Sequence, residues 1–257
     1  NESSDGDKDL VTSDKSRRPV VTLSHVNDAA FRFHIFETLL ADEYKLQQYP
    51  DKNGTHWIID AGGNMGETAI NYLIHFPNSK VVVIEAHPVM YVMSRWSFIL
   101  NGFEDEDNLR LVSLNAAFGA PDGADMQMVD TNSFGWTGKG KVGIGGSNSD
   151  QVTRKRFSIP TISAQELFKI FDMKKIYILK MDCEGCEFSA VPSWNFDFAA
   201  QIDSLAGEYH ENLPESFAQM FNNTKSVTKN ALFFTCSFPL GYINAFTNLD
   251  CKNKREY

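Results

Sequence analysis

The chain has no apolar run near the ~20 residues that a membrane-spanning helix requires. Stretches such as Val81-Val82-Val83-Ile84 are strand-sized and end at charges, so the chain reads as soluble. Cysteine is scarce, at four in 257 residues, too few for a disulfide scaffold. Positive charge is in deficit: 24 Lys and Arg against 33 Asp and Glu give a net charge of −9. A duplex-binding surface needs a basic footprint to displace counterions, so nucleic acid is not an expected partner. The loose cluster Lys139, Lys141, Arg154, Lys155 and Arg156 reads as a solvated loop. Internal repeats are absent. An initiator Met is also missing, and the start at Asn1 fits either a removed targeting segment or a sequence cut at that point, with the compartment left open. Sequons at Asn1, Asn53 and Asn222 occur at about the chance level and do not decide it.

What is present is a regular alternation. Residues 1–18 are polar and read as a flexible tail, and 19–257 as a single domain with a Gly-, Asp-, Ser- and Asn-rich insertion near 120–150. Ala29 to Tyr44 has helical spacing. Trp57-Ile58-Ile59 is a short strand that stops at Asp60 and a glycine loop, followed by a helix with Ala69, Ile70, Leu73 and Ile74 on one face and Pro77 closing it. Lys80 to Ile84 is a continuous β-branched strand suited to burial on both faces. Val89 to Leu100 is helical, with Val89, Val92, Met93, Trp96 and Ile99 at helical spacing. Leu109 to Leu114 is a third strand. Ser163-Ala164-Gln165-Glu166 is a capping box opening a helix with Leu167, Phe168, Ile170 and Phe171. Ile176 to Leu179 and Gln201 to Ala206 are further strands, and Ala231 to Ser237 with Tyr242 to Phe246 a terminal hairpin. Strands alternating with helices predict an α/β fold with a mainly parallel sheet covered on both faces.

The strongest local signal is Asp60-Ala61-Gly62-Gly63-Asn64-Met65-Gly66 between a strand and a helix. Glycines let the backbone turn tightly and approach a ligand, and the following helix N-terminus offers free N–H groups. Glu85 ends the next strand, near the ~20-residue offset at which an acid bonds ribose hydroxyls. A dinucleotide needs G-x-G-x-x-G, whereas this loop reads Gly62-x-Asn64-x-Gly66. Asp60 instead suits a ligand with a cationic end, and S-adenosylmethionine carries a sulfonium and an ammonium. The competing interpretation is a purely structural glycine turn.

Five segments in order now resemble the FkbM-type methyltransferases: the Asp60-to-Gly66 loop, Glu85 with Pro88, Asn101-Gly102, Ala117-Phe118-Gly119, and the Lys-x-Asp-x-Glu-Gly-x-Glu pattern at Lys180, Asp182, Glu184, Gly185 and Glu187. The resemblance runs from about Trp57 to His210 and more loosely to the C-terminus. It implies a Rossmann-like class I methyltransferase fold of seven strands, the last two an antiparallel hairpin. It also implies methyl transfer to oxygen, commonly on a small molecule or sugar. Asp60, Gly62, Asn64, Gly66, Glu85 and Asp182 are the expected cofactor residues.

Asp182 ends a central strand, where open α/β sheets bind ligands, and His210 follows the fifth strand on the same edge. His210 is the candidate base for an acceptor hydroxyl, and Asp182 its candidate catalytic companion. Glu184 and Glu187 read equally well as cap and turn groups. Asp182, Glu208 and His210 would also allow a divalent ion, although no metal site is assigned. Cys183-x-x-Cys186 lacks a second ligand pair for zinc and reads as two small buried thiols. A second overall interpretation is a methyltransferase-fold subunit that binds a protein partner without catalysis.

Overall fold

A computed structural model describes residues 21–23, 36–40, 42, 44, 46–103, 110–119, 126–130, 142–143, 155–183, 186–209, 233–236 and 241–245. The polar segment 1–18, Glu184, Gly185 and His210 lie outside these, as does most of the helix expected over Ala29 to Tyr44. Within that stretch Phe36–Leu40 forms one π-helical turn.

In chain order the first strands and helices are β1 (Trp57–Ala61), α1 (Glu67–His75), β2 (Lys80–Ile84), α2 (Pro88–Leu100) and β3 (Leu111–Leu114). Next come β4 (Ala117–Phe118), β5 (Met126–Asp130), β6 (Val142–Gly143), β7 (Lys155–Ile159) and β8 (Thr161–Ile162). The remainder is α3 (Ala164–Ile170), β9 (Ile178–Met181), α4 (Glu187–Ala190), α5 (Phe196–Ala199), β10 (Leu205–Tyr209), β11 (Phe233–Cys236) and β12 (Gly241–Ala245). The main sheet runs β11-β12-β10-β9-β1-β2-β3. Its central pairs are parallel, and β12 runs antiparallel to both β10 and β11. The chain therefore starts in the middle of the sheet, winds outward to β3, and returns to the other side of β1 with β9. That reversal between β1 and β9 is the place where such sheets hold ligands.

Strand period explains why both faces are covered. Ile58, Val81, Val83 and Ile178 point into one core with Ala69, Ile70 and Leu73 of α1. Ile59, Val82, Ile84 and Leu179 point into the other with Leu167 of α3 and Ala190 of α4. The capping box of α3 is formed: Ser163 Oγ accepts from the Glu166 N–H at 3.2 Å, and Glu166 Oε2 accepts from the Ser163 N–H at 2.7 Å. Ile170 at the end of α3 is exposed, unlike Leu167.

The 120–150 stretch contributes β5 and β6, which join β7 in a separate three-stranded antiparallel sheet. Lys155 and Arg156 thus belong to a strand and not to the expected loop.

The helix α2 forms where helical spacing predicted it and packs by its small residues. Its apolar stripe faces out, with Val92, Trp96 and Ile99 about half exposed. The buried positions are Ser94, Ser97 and Phe98. Serine serves here because its hydroxyl returns to the helix itself: Ser94 Oγ donates to Tyr91 O at 2.8 Å and Ser97 Oγ to Met93 O at 3.1 Å. With no polar group left unmet, two small side chains let α2 close on the start of α1, where Phe98 and Ser94 flank Gly66.

Candidate functional site

Three acids end three adjacent strands. Asp60 lies in β1, Glu85 follows β2, and Asp182 follows β9. Glu85 is nearly buried, and its carboxylate is held from both sides: Oε2 accepts from the Asn64 N–H at 2.8 Å and Oε1 from the His87 N–H at 2.7 Å. The Asn115 side-chain amide donates to the Glu85 carbonyl at 2.8 Å, fixing the backbone there. Burial pushes the Glu85 carboxyl up to about 7, and the two backbone donors resist that rise. The glycine loop is tied to the same strand end, since the Gly62 and Gly63 N–H groups both donate to Ile84 O.

Asp60 is fully buried and stands directly across from Lys180 in the β1–β9 register. Lys180 Nζ lies 3.0 Å from Asp60 Oδ1 and 3.9 Å from Asp182 Oδ2, and it donates to Gly62 O at 2.7 Å. The Asp60 contact is a close, buried ion pair. Burial lifts the Asp60 carboxyl to about 6 against the pull of Lys180. Burial depresses Lys180, but the facing Asp60 and Asp182 outweigh it and raise its value above the usual one. Lys180 is thus a cation beside Asp60 within the protein itself. Asp182 keeps 16% of its side-chain surface and is the member of this cluster that a ligand reaches most readily.

At Gly62 (φ +84) a Cβ would fall on the carbonyl of Asp182, and at Gly66 (φ +89) it would come within 2.6 Å of the Phe98 ring. Contacts within the protein thus require glycine at both positions. A Val at Gly62 would collide with the loop after β9, so it would damage folding as well as any binding. Asn64 adopts φ 45, a left-handed conformation that Asn tolerates better than most residues.

Cys183 and Cys186 form a disulfide, which replaces the two free thiols expected. It joins the residue after Asp182 to the residue before α4. Glu187 starts α4 and Glu208 lies in β10. Among the described residues no group of three His, Cys, Asp or Glu could hold a metal ion. A cleft of about 260 Å³ opens at the other end of the sheet, beside Trp57, Tyr177 and Asp203. Its lysines already pair with Asp172 and Asp203, and none of the strand-end acids lines it.

Two residues of the cluster were given no role in the sequence. Lys180 is visible there as part of a pattern, but its partner Asp60 is not. Tyr44, whose hydroxyl donates to Asp182 Oδ2 at 3.1 Å, offered no signal, because 138 positions separate the two.

The methyltransferase FkbM domain matches residues 60–229, from Asp60 of the strand-end cluster to well beyond β10. The chain belongs to this family. No helix among the described residues is long and apolar enough to cross a membrane. One similar solved structure is a methyltransferase FkbM from Methylobacillus flagellatus KT, with 13% identity and a TM-score of 0.47. That likeness covers 74% of this chain and 41% of that one, so this FkbM-family chain spans less than half the relative's length. Another is a precorrin-6y C5,15-methyltransferase from Geobacter metallireducens GS-15, with 8% identity, a TM-score of 0.40 and coverage of 72% and 68%. No curated protein matches the chain in sequence.

Proposed function

We propose that this FkbM-family chain uses S-adenosylmethionine to methylate a hydroxyl oxygen on a small molecule or sugar. The observation that carries this reading is Glu85. Its carboxylate is pinned at the end of β2 by two backbone donors, one from the glycine loop, beside the sheet's reversal point. A carboxylate accepts two vicinal ribose hydroxyls there, as acids at this position do in nucleoside-binding sheets. The partly exposed Asp182, with the buried Asp60–Lys180 pair behind it, supports placing the polar end of the same cofactor here.

When bound, S-adenosylmethionine supplies an activated methyl group. The chain's task is then to align an acceptor oxygen and take its proton. Asp182 and His210 are the proposed acceptor-side pair, with His210 as base. Gly62, Asn64 and Gly66 shape the loop between Asp60 and α1.

Thermal melting tests the reading. S-adenosylhomocysteine at 100 times its dissociation constant stabilises a native state by about 2.7 kcal/mol, and the melt should rise accordingly, while NAD should leave it unchanged. A shift with NAD and none with S-adenosylhomocysteine would overturn the proposal.

A further inference from the structure

Tyr44 reaches the site from outside the matched domain, whose first residue is Asp60. The turn that carries it is built with care. Asp42, at φ 52, caps it: Oδ1 accepts from the Leu46 N–H at 2.6 Å and Oδ2 from the Gln47 N–H at 3.2 Å. Leu46 and Tyr49 anchor it in the core beneath α1. The preceding turn is fastened to α1 by Asn71, whose amide donates to Thr38 O at 3.0 Å. Between these anchors Tyr44 is itself buried, with its ring 5.8 Å from Lys180 Nζ and its hydroxyl on Asp182.

The electrostatics give that hydroxyl a definite task. Lys180 Nζ is 3.0 Å from Asp60 but 3.9 Å from Asp182, so the Asp182 carboxylate stands off from the shared cation. A lysine and a hydroxyl that face the same carboxylate oxygen compete to donate to it. The Tyr44 O–H is such a donor, on the same oxygen that faces Lys180. We infer that Tyr44 is a positioning residue for Asp182: it holds the carboxylate short of Lys180 and keeps it available to the ligand. This rests on the reading of Asp182 as a cofactor-side residue. It makes a segment upstream of the family's domain part of the working site.

The test is S-adenosylhomocysteine affinity, measured by calorimetry on the full chain as wild type, Tyr44→Phe, Asp182→Asn and the double variant. Tyr44→Phe removes one oxygen and should weaken binding about three- to tenfold, with the cooperative melt retained. Asp182→Asn should weaken it at least as much. The double variant should bind no worse than Asp182→Asn alone, because Tyr44 acts through that carboxylate. A merely structural Tyr44 would instead give losses that add. Additive losses, or unchanged binding in Tyr44→Phe beside a weakened Asp182→Asn, would overturn the inference. Wild-type affinity in Asp182→Asn would show that the reading of Asp182 had failed, and no binding by the wild type that the cofactor itself was wrong; either removes the inference with it.

Discussion

At Glu85 burial and hydrogen bonding pull in opposite directions, and their balance near neutrality has a measurable result. The free carboxyl titrates at about 7, raised by burial. Ribose hydroxyls donate more strongly to the ionised carboxylate, which offers both oxygens as acceptors, so binding favours the deprotonated form. Affinity should therefore fall as pH drops through 7, by about tenfold between pH 8 and pH 6, following the ionised fraction. Dissociation constants for S-adenosylhomocysteine at pH 6, 7 and 8 check this, and Glu85→Gln should bind weakly at all three. A flat profile in the wild type would mean that Glu85 is ionised throughout or does not touch the ligand. The three strand-end acids were legible in the sequence because each closes an apolar run. Their internal counter-charge was not, since only the β1–β9 register sets Lys180 against Asp60. The glycine loop was legible as a tight turn, whereas its left-handed backbone and its packing against the Asp182 carbonyl and Phe98 appear only in the fold.

Among the elements, strands were more legible than helix faces. A β-branched run such as Lys80–Ile84 leaves no choice of orientation when both faces are covered. The helix α2 does have a choice, and helical spacing alone does not say which face is buried. What decided the matter was close packing against Gly66, which favours Ser94 over larger residues, with Ser97 buried on the same helix. Two substitutions expose the difference. Ser97→Leu adds volume to a filled space and should destabilise by about 1–3 kcal/mol. Trp96→Gln, on the outward stripe, should change stability by no more than about 0.5 kcal/mol. Urea melts of the two variants read this directly, and the reverse order of effects would mean that α2 is turned the other way. The terminal strands illustrate another limit. β10 begins at Leu205 although the apolar pattern suggested Gln201, because Gln201 is taken up in the turn after α5, with its N–H on Phe198 O.

For the molecule as a whole, the important fact is how far apart in sequence the central contacts lie. Lys180 and the Gly62 carbonyl it binds are 118 positions apart, and Tyr44 and Asp182 are 138. A chain ending before β9 would keep β1, β2 and β3 but leave Asp60 in an apolar core with no cation beside it, at a cost of several kcal/mol. A truncation after Lys175 should accordingly lack a cooperative thermal transition by circular dichroism, while the full chain shows one. Cooperative melting of the shortened form would mean that the first three strands fold alone. The same spacing matters during synthesis. At about 5–20 residues per second the ribosome needs several seconds to travel from Gly62 to Lys180. Throughout that interval the strand that will occupy the middle of the sheet waits with one edge unpaired, and a nascent chain in that state is one that chaperones are built to hold.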